Sequence, residues 1–284
     1  MNKLRIVIPK GRIFENVVKL LNEAGIYMQV NERGYRPIVN NPEIEIKIMK
    51  PQNIPKLVEL GSHDIGFTGY DWIVETGADI AEIMDLKLNP VKIIAAVPQN
   101  LSDKSLRTKK LVVASEYENM ATSFLKKGRY NYVFLRTYGT TEVFPPDDAD
   151  MIIDNTATGR TLTEHNLRTI ATLLNSSTRF IANKKSLKDA WKREKIDEMK
   201  ILFQSVLDAR ERVMLEMNIP KEKFKSIVKI LPCMRSPTVA PLYGEQGFAV
   251  KVAVKRTEVI KLIPLLKKLG ATDILEYEFR KVVV

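Results

Sequence analysis

In the first two-thirds of the chain, short apolar runs typical of buried strands alternate with segments whose apolar residues recur at helical spacing. Short apolar runs at Leu4–Ile8, Ile65–Thr68 and Val91–Val97 predict buried strands. Between such runs, apolar residues recur at helical spacing, as in Phe14–Ala24, and Gly25 is placed to end that helix. Strands that alternate with helices predict βαβ units and largely parallel sheets.

The last third of the chain has a different pattern. A long amphipathic helix is predicted over residues 186–217, and Pro220 is expected to follow its end. Beyond it, strands are predicted at Phe224–Leu231, Phe248–Val254 and Ile274–Val282, and a helix at Glu258–Leu269. Hairpin-joined strands with flanking helices predict a small ferredoxin-like domain.

Composition narrows the class of protein. The chain has 284 residues, and its apolar runs are far shorter than the roughly 20 residues of a membrane-spanning helix. The N-terminus lacks the apolar core of a signal peptide, so a cytoplasmic location is expected. A single cysteine, Cys233, excludes an intramolecular disulfide, and only two histidines, His63 and His165, exclude a His-rich zinc site.

Net charge does not indicate a nucleic-acid partner. The chain carries +11, but residues 181–284 hold 22 basic and 13 acidic residues, so most of the excess lies there. The basic residues are interleaved with acids along predicted helices, which is typical of a solvated surface. Nucleic-acid binding is a rival interpretation that rests on net charge alone.

One loop is the most informative segment. Met151–Ile153 predicts a buried strand, Asp154 ends it, and small and hydroxyl residues lead to a helix expected from about Thr163. Loop N–H groups and a helix N-terminus attract an anion, and Gly159 permits close backbone approach. A carboxylate beside such a cradle can accept hydrogen bonds from sugar hydroxyls, so a sugar phosphate fits. A strand–loop–helix turn without a ligand is an equally open interpretation from spacing alone.

The segment from Asp154 to Thr161 resembles the phosphoribosyl-pyrophosphate (PRPP) loop of phosphoribosyltransferases. Most of those enzymes have two adjacent acids before the loop, where this chain has Asp154 and then Asn155. A single acid followed by Thr-Gly-x-Thr-Leu resembles one branch, ATP phosphoribosyltransferase, the first enzyme of histidine biosynthesis. Further blocks agree with that family in order and spacing: Pro9–Arg12, Asp64–Gly69, Gly139–Val143, Ser176–Asn183, Ser236–Leu242 and Leu269–Leu275.

The resemblance implies both a fold and a reaction. The fold is α/β, with a two-lobed, periplasmic-binding-protein-like catalytic part and a C-terminal ferredoxin-like domain (βαββαβ, ACT-like) that binds histidine. Lobe 1 is expected at 1–94 plus about 180–212, lobe 2 at 95–179 and the regulatory domain at 213–284. The reaction transfers the 5-phosphoribosyl group of PRPP to N1 of ATP and releases pyrophosphate, on which Mg²⁺ is expected to be carried.

The resemblance also implies roles for individual residues. Those expected to bind PRPP are Asp154, Thr156, Ala157, Thr158, Gly159, Arg160 and Thr161. Those expected to bind ATP are Lys10, Gly11, Arg12, Gly69, Asp71 and Glu142. Those expected to bind histidine are Asn218, Ser236 and Thr238. Arg160 as a solvated loop residue and Glu142 as an ordinary helix-start acid are equally open interpretations.

The expected partners follow from the same resemblance. They are ATP and PRPP as substrates, histidine and AMP as inhibitors, and further copies of the chain in a dimer to a hexamer. No nucleic acid, membrane or separate regulatory subunit is expected. The alternative function is a non-catalytic two-lobed protein that binds small molecules, which would share the fold and release no pyrophosphate.

Overall fold

The computed structural model describes residues 2–29, 34–244 and 246–284. It divides the chain into two compact units, Met1–Asp197 and Glu198–Val284. The division falls inside a helix, Ala190–Glu211, whereas the regulatory domain was expected to begin at residue 213. No helix in the described part of the chain is long and apolar enough to cross a membrane.

The first unit is built on two five-stranded sheets, counted over the described residues. Its strands are β1 (Leu4–Pro9), β2 (Met28–Gln29), β3 (Ile38–Val39), β4 (Ile44–Met49), β5 (Ile65–Gly69), β6 (Ala81–Asp85), β7 (Val91–Pro98), β8 (Leu111–Ser115), β9 (Tyr132–Arg136), β10 (Met151–Thr156), β11 (Leu167–Ser176) and β12 (Thr178–Ala182). Its helices are α1 (Phe14–Ala24), α2 (Ile54–Glu59), α3 (Tyr70–Thr76), α4 (Asp103–Thr108), α5 (Glu118–Lys127), α6 (Arg160–Glu164) and α7 (Ala190–Glu211), which continues into the second unit.

Each of these sheets is mixed, so the prediction of largely parallel sheets is wrong. The strand orders are β4-β1-β5-β12-β6 and β11-β7-β10-β8-β9. Strands β4, β1 and β5 run parallel, as do β10, β8 and β9. The other pairings are antiparallel, and all of them involve β7 or β12, the strands at which the chain enters each sheet from the other one.

The chain crosses between the two sheets twice. It leaves the first sheet after Asp85 and enters the second at Val91. It returns through Ser177, between β11 and β12. The lobe boundaries expected from the sequence were 94/95 and 179/180, which fall within β7 and β12.

The segment after the Asp154 loop differs from its prediction. The helix expected from about Thr163 begins at Arg160 and ends at Glu164, and the chain turns at Asn166 (φ 53°) into the ten-residue strand β11. Leu162 and Leu167 are both buried in one core cluster. The two leucines thus lie on either side of the turn with their side chains in the same core, and the chain continues as β11, which pairs with β7.

The second unit has the predicted βαββαβ order. Its elements after α7 are β13 (Arg212–Pro220), α8 (Phe224–Ile230), β14 (Thr238–Pro241), β15 (Gly247–Lys255), α9 (Arg256–Lys268) and β16 (Thr272–Glu278). The four strands form an antiparallel sheet in the order β14-β15-β13-β16. This is the ferredoxin-like topology, and the predicted fold class is confirmed.

Two elements of the second unit were predicted wrongly. The helix predicted to residue 217 ends at Glu211, and β13 follows with buried residues at every second position (Val213, Leu215, Met217, Ile219). The segment predicted as the strand 224–231 is helix α8, since its apolar residues recur at helical spacing and pack on the same core. The final strand is also shorter than predicted and ends at Glu278.

Candidate active site

The candidate site lies where parallel strands of the first unit end, three in each sheet. The segments that follow these strands are Lys10–Arg12 after β1, Pro51–Asn53 after β4, Tyr70–Thr76 after β5, residues 116–117 after β8, residues 137–142 after β9 and residues 157–161 after β10. In open α/β sheets, ligands bind in the crevice outside the carboxyl ends of the strands. The fold therefore brings most of the predicted substrate residues to one region.

Two adjoining cavities occupy this region. The larger, of about 360 Å³, is lined by residues of the Asp154 loop and by Glu142. The smaller, of about 150 Å³, is lined by Lys10, Gly69 and Asp71. Arg12, Glu116 and Asn155 line both cavities and so form the boundary between them.

The loop after β10 presents hydrogen-bond donors to the larger cavity. Asp154, Thr156, Ala157, Thr158 and Thr161 line it. Gly159 has a φ of 75°, a backbone conformation that is strained in residues with a side chain. Its N–H donates to Thr156 Oγ1 at 3.0 Å. The N–H groups of Ala157, Thr158 and Thr161 make no hydrogen bond within the described part of the chain. These N–H groups and the loop hydroxyls are donors that an anion can bond, whereas α6, with only five residues, has a weak helix dipole.

The Asp154 carboxyl titrates unusually. Burial, together with a smaller effect of the nearby carboxylates of Glu142 and Glu116, raises its pKa to about 6. Hydrogen bonds from the Asn155 N–H and the Thr141 hydroxyl oppose this shift. A half-buried carboxyl in a cavity with a perturbed pKa is a candidate for direct contact with a substrate.

Two predicted PRPP residues do not line the larger cavity. Gly159 forms the turn but is not among its lining residues. Arg160 also lies outside the lining, is 84% exposed, and pairs with Glu164 at 2.8 Å along the same short helix. This geometry agrees with the interpretation of Arg160 as a solvated loop arginine.

Four of the six predicted ATP residues line the smaller cavity. Lys10 and Arg12 line it, while Gly11, with a φ of 82°, does not. Gly69 allows a close approach, since a Cβ there would lie 2.1 Å from Asp71 Oδ1. Glu142 lines the larger cavity.

Both carboxylate oxygens of Asp71 are already bonded to protein. Oδ2 accepts the Tyr117 hydroxyl at 2.8 Å, and Oδ1 accepts the Ser176 hydroxyl at 2.5 Å. All three side chains are buried. Asp71 lines the smaller cavity with both carboxylate oxygens held by protein hydroxyls, and its contact with ATP stays a prediction.

Sequence reasoning assigned no role to several polar residues of the two cavities. Among them are Gln52, Asn89, Glu116, Tyr117 and Asn155. Gln52 Nε2 donates to Glu116 Oε2 at 3.3 Å, across the gap between the ends of β4 and β8. Their positions in the sequence could have identified three of them. Gln52, Glu116 and Tyr117 come shortly after predicted parallel strands, and ligands bind at the carboxyl ends of such strands.

The predicted histidine residues lie on or beside one face of the sheet of the second unit. Asn218 and Thr238 lie on the face opposite the buried residues of β13 and β15, in neighbouring rows of the sheet. Asn218 Nδ2 donates to Asp273 Oδ2 at 2.8 Å. Ser236 is exposed just before β14.

Two models of known protein families match most of the chain from residue 50 onward. A family model described as "ATP phosphoribosyltransferase" matches residues 50–205, and one described as "HisG, C-terminal domain" matches residues 209–281. The ATP phosphoribosyltransferase of Pelotomaculum thermopropionicum is 41% identical over 289 residues, which cover 99% of each chain. The chain belongs to the ATP phosphoribosyltransferase family. The second match gives it the form that carries a C-terminal domain, as the sequence resemblance implied.

Other relatives agree with this family. The ATP phosphoribosyltransferase of Chlorobium phaeovibrioides is 38% identical over 286 residues, covering 99% of this chain and 97% of its own. Among solved structures, the "ATP phosphoribosyl transferase (HisG:HisZ) complex" from Thermotoga maritima has a TM-score of 0.63 at 23% identity. That likeness covers 70% of this chain and 98% of the other, and it shows a shared fold.

Proposed function

We propose that the chain transfers the 5-phosphoribosyl group of PRPP to N1 of ATP and releases pyrophosphate, the first step of histidine biosynthesis. The observation that carries this proposal is the pair of adjoining cavities in a member of this family. One cavity is lined by Asp154 and its threonine-rich loop, and the other by Lys10 and Arg12. Two substrates with reacting atoms at a shared boundary need such an arrangement.

PRPP is assigned to the larger cavity. The unbonded N–H groups and the hydroxyls of residues 156–161 are donors for the 5′-phosphate. Asp154, at the start of that loop, is placed to accept hydrogen bonds from the ribose hydroxyls in its ionised form. Acceptance of those bonds fixes the ribose while charge develops at its anomeric carbon.

ATP is assigned to the smaller cavity, with its adenine directed to the boundary. Arg12 lines both cavities and is the best candidate to contact both substrates, because a guanidinium can bond bidentately and stack on a base. In the reaction a bond forms between adenine N1 and the anomeric carbon, and the bond from that carbon to the pyrophosphate oxygen breaks. Positioning and charge stabilisation carry such chemistry, so no strong base is required.

Mg²⁺ is proposed to enter with PRPP as part of the substrate. The larger cavity holds three carboxylates, Glu116, Glu142 and Asp154, which would repel a bare pyrophosphate. Although these three carboxylates line one cavity, no three acidic, His or Cys side chains in the described part of the chain lie close enough together to hold a metal ion. Mg²⁺ commonly keeps several waters and binds through substrate phosphates, which suits this donor set.

Feedback control by histidine is proposed for the second unit. Asn218, Ser236 and Thr238 supply an amide and two hydroxyls on or beside the open face of its sheet. These groups can bond the amino and carboxylate groups of an amino acid. Inhibition by AMP, assembly into dimers or hexamers, independence from a separate regulatory subunit and a cytoplasmic location stay predictions.

The reaction is tested by product analysis. The purified chain is incubated with ATP, PRPP and Mg²⁺, and pyrophosphate release is followed while the nucleotide product is identified by mass spectrometry. Release that requires both substrates and yields phosphoribosyl-ATP is the expected result. Binding of either substrate with no pyrophosphate released, by protein shown to be folded, would favour the non-catalytic two-lobed binder instead.

A further inference from the structure

A continuous line of hydrogen bonds joins the two cavities. It begins at Ser176, whose hydroxyl donates to Asp71 Oδ1 at 2.5 Å, and Asp71 Oδ2 accepts the Tyr117 hydroxyl at 2.8 Å. The Tyr117 oxygen then accepts from Asn155 Nδ2 at 3.3 Å. Asn155 Nδ2 also donates to Asp154 Oδ1 at 3.1 Å. The five residues form a polar line that ends on the carboxylate assigned to the ribose.

The direction of each bond in this line is fixed by chemistry. Both hydroxyls donate to the carboxyl oxygens of Asp71, which serve as acceptors. The Tyr117 hydroxyl has then used its proton, and its oxygen can only accept from Asn155. The Asn155 amide is thereby oriented with Nδ2 toward both Tyr117 and Asp154. Burial, together with the Asp71 carboxylate, raises the pKa of Tyr117, so its hydroxyl stays protonated.

The line also spans the two lobes of the first unit. Asp71 lies in α3, at the end of a strand of the first sheet, and Tyr117 follows β8 of the second sheet. Trp72, beside Asp71, stacks on the Tyr117 ring with a centroid separation of 4.6 Å. The ring is therefore held by packing, and its hydroxyl is free to serve the hydrogen-bond line.

We propose that Tyr117 is a positioning residue that couples the two substrate cavities, its hydroxyl transmitting the placement of Asp71 to Asn155 and so to Asp154. This inference rests on the proposed function, because it assigns ATP to the cavity lined by Asp71 and Tyr117 and PRPP to the cavity lined by Asp154. Binding of a ligand in one cavity then changes the affinity of the other cavity for its own ligand. Such coupling is reciprocal between the two ligands and commonly amounts to at least about fivefold.

The test is the effect of ATP on the binding of ribose 5-phosphate. This probe presents the ribose hydroxyls and the 5′-phosphate but has no pyrophosphate to lose, so no turnover interferes. Its Kd is measured by titration calorimetry on the full chain, with and without saturating ATP. In the wild type ATP is expected to change this Kd by at least about fivefold, and in Tyr117→Phe the two values are expected to agree within about twofold.

Two further variants distinguish loss of the hydrogen-bond line from a general effect of removing a polar group. Tyr130→Phe removes a hydroxyl from a ring packed against the same core cluster but outside the line, and it is expected to keep the wild-type coupling. Asn155→Ala breaks the next link at an exposed position, where folding is not at risk, and it is expected to lose the coupling as Tyr117→Phe does. Loss of coupling should appear with a fall in kcat/KM for PRPP of about tenfold.

The outcomes separate this inference from the function on which it rests. If the wild type releases pyrophosphate from ATP and PRPP but Tyr117→Phe and Asn155→Ala keep its coupling, Tyr117 has only a packing role and the inference is wrong. If the wild type binds ribose 5-phosphate independently of ATP, the inference is wrong as well. If the wild type does not turn over at all, the proposed function fails first.

Discussion

The two units of the chain differ sharply in how they treat polar side chains. Among the described residues, the first unit buries twelve polar or charged side chains, and the second unit buries one, Ser205. Burial of a polar group costs free energy unless hydrogen bonds compensate it. In the first unit some of those bonds join the two lobes beside the cavities, as between Asp71 and Tyr117. Others lie within one lobe, as between Ser186 and Asp64.

In the second unit, apolar and polar side chains lie on opposite faces of the sheet. Val213, Leu215, Met217 and Ile219 of β13 form an apolar core with β15 and the two helices, and polar residues such as Asn218 alternate onto the opposite face. A ligand site on such a face can change without disturbing the core. From this comparison we expect substitutions of buried polar residues in the first unit to affect packing and function together, and substitutions on the open sheet face of the second unit to leave its core intact.

The largest expected effect is on turnover, from Asp154→Asn. The amide keeps the shape but cannot accept ribose hydroxyl bonds as a charged carboxylate does, so kcat/KM for PRPP should fall by about 100-fold or more. Burial raises the pKa of Asp154, so its charged form destabilises the folded state. The neutral amide removes that cost, and the melting temperature of the variant should stay the same or rise. Turnover within about twofold of wild type would remove Asp154 from the PRPP site.

The next effect is on stability, from Glu75→Gln. The buried Glu75 carboxylate in α3 accepts the N–H groups of Asn119 and Met120 at 2.9 and 3.0 Å and so caps α5. An amide leaves one of these donors unsatisfied, and urea unfolding should show a loss of about 1–3 kcal/mol. The exposed Glu118→Gln, which loses only a surface pair with Arg136, should cost less than about 1 kcal/mol. Equal losses for both variants would contradict the role of Glu75 as an inter-lobe cap.

A smaller effect is expected on the pH dependence of activity. Asp154 must be ionised to accept hydrogen bonds, and its pKa of about 6 means that kcat/KM for PRPP should fall as pH drops through that value. Glu142→Gln removes a negative charge that raises this pKa, so the fall should move to lower pH. PRPP itself titrates in this range, but its pKa is the same with both enzymes. An unmoved profile in Glu142→Gln would assign the fall to the substrate.

The smallest effect on the basal reaction is expected from Thr238→Ala. Thr238 lies exposed on the open sheet face of the second unit, so its loss should leave basal turnover and stability within error. Inhibition by histidine should weaken, seen as a higher inhibitory concentration. Thr257→Ala, on the exposed side of helix α9, is the matched control and should keep wild-type inhibition. Unchanged inhibition in Thr238→Ala would remove Thr238 from the histidine site.

The sequence predicts those parts of the site that are local in the chain. Asp154 and its loop follow directly after a recognisable strand, so their chemistry can be read from a few neighbouring residues. The line from Ser176 through Asp71 to Tyr117 joins positions 105 and 46 residues apart, and no local pattern contains it. Knowledge of which strands are neighbours is needed first.

The errors in the predicted elements have a related cause. Residues 212–217 contain apolar residues that fit both a helix and a strand, and only the packed core of the second unit selects the period of two. At Phe224–Ile230 the helical spacing was present in the sequence and was misread. The overall order βαββαβ was nevertheless predicted, because the resemblance covers the whole domain.

The most direct test of the contrast between the two units is one titration. The initial rate of pyrophosphate release is measured at saturating ATP, PRPP and Mg²⁺ while the histidine concentration is raised. A rate that requires both substrates and falls as histidine binds would place catalysis and control in one chain, as proposed. A rate that histidine leaves unchanged would contradict the regulatory role of the second unit, and no release from folded protein would contradict the catalytic role of the first.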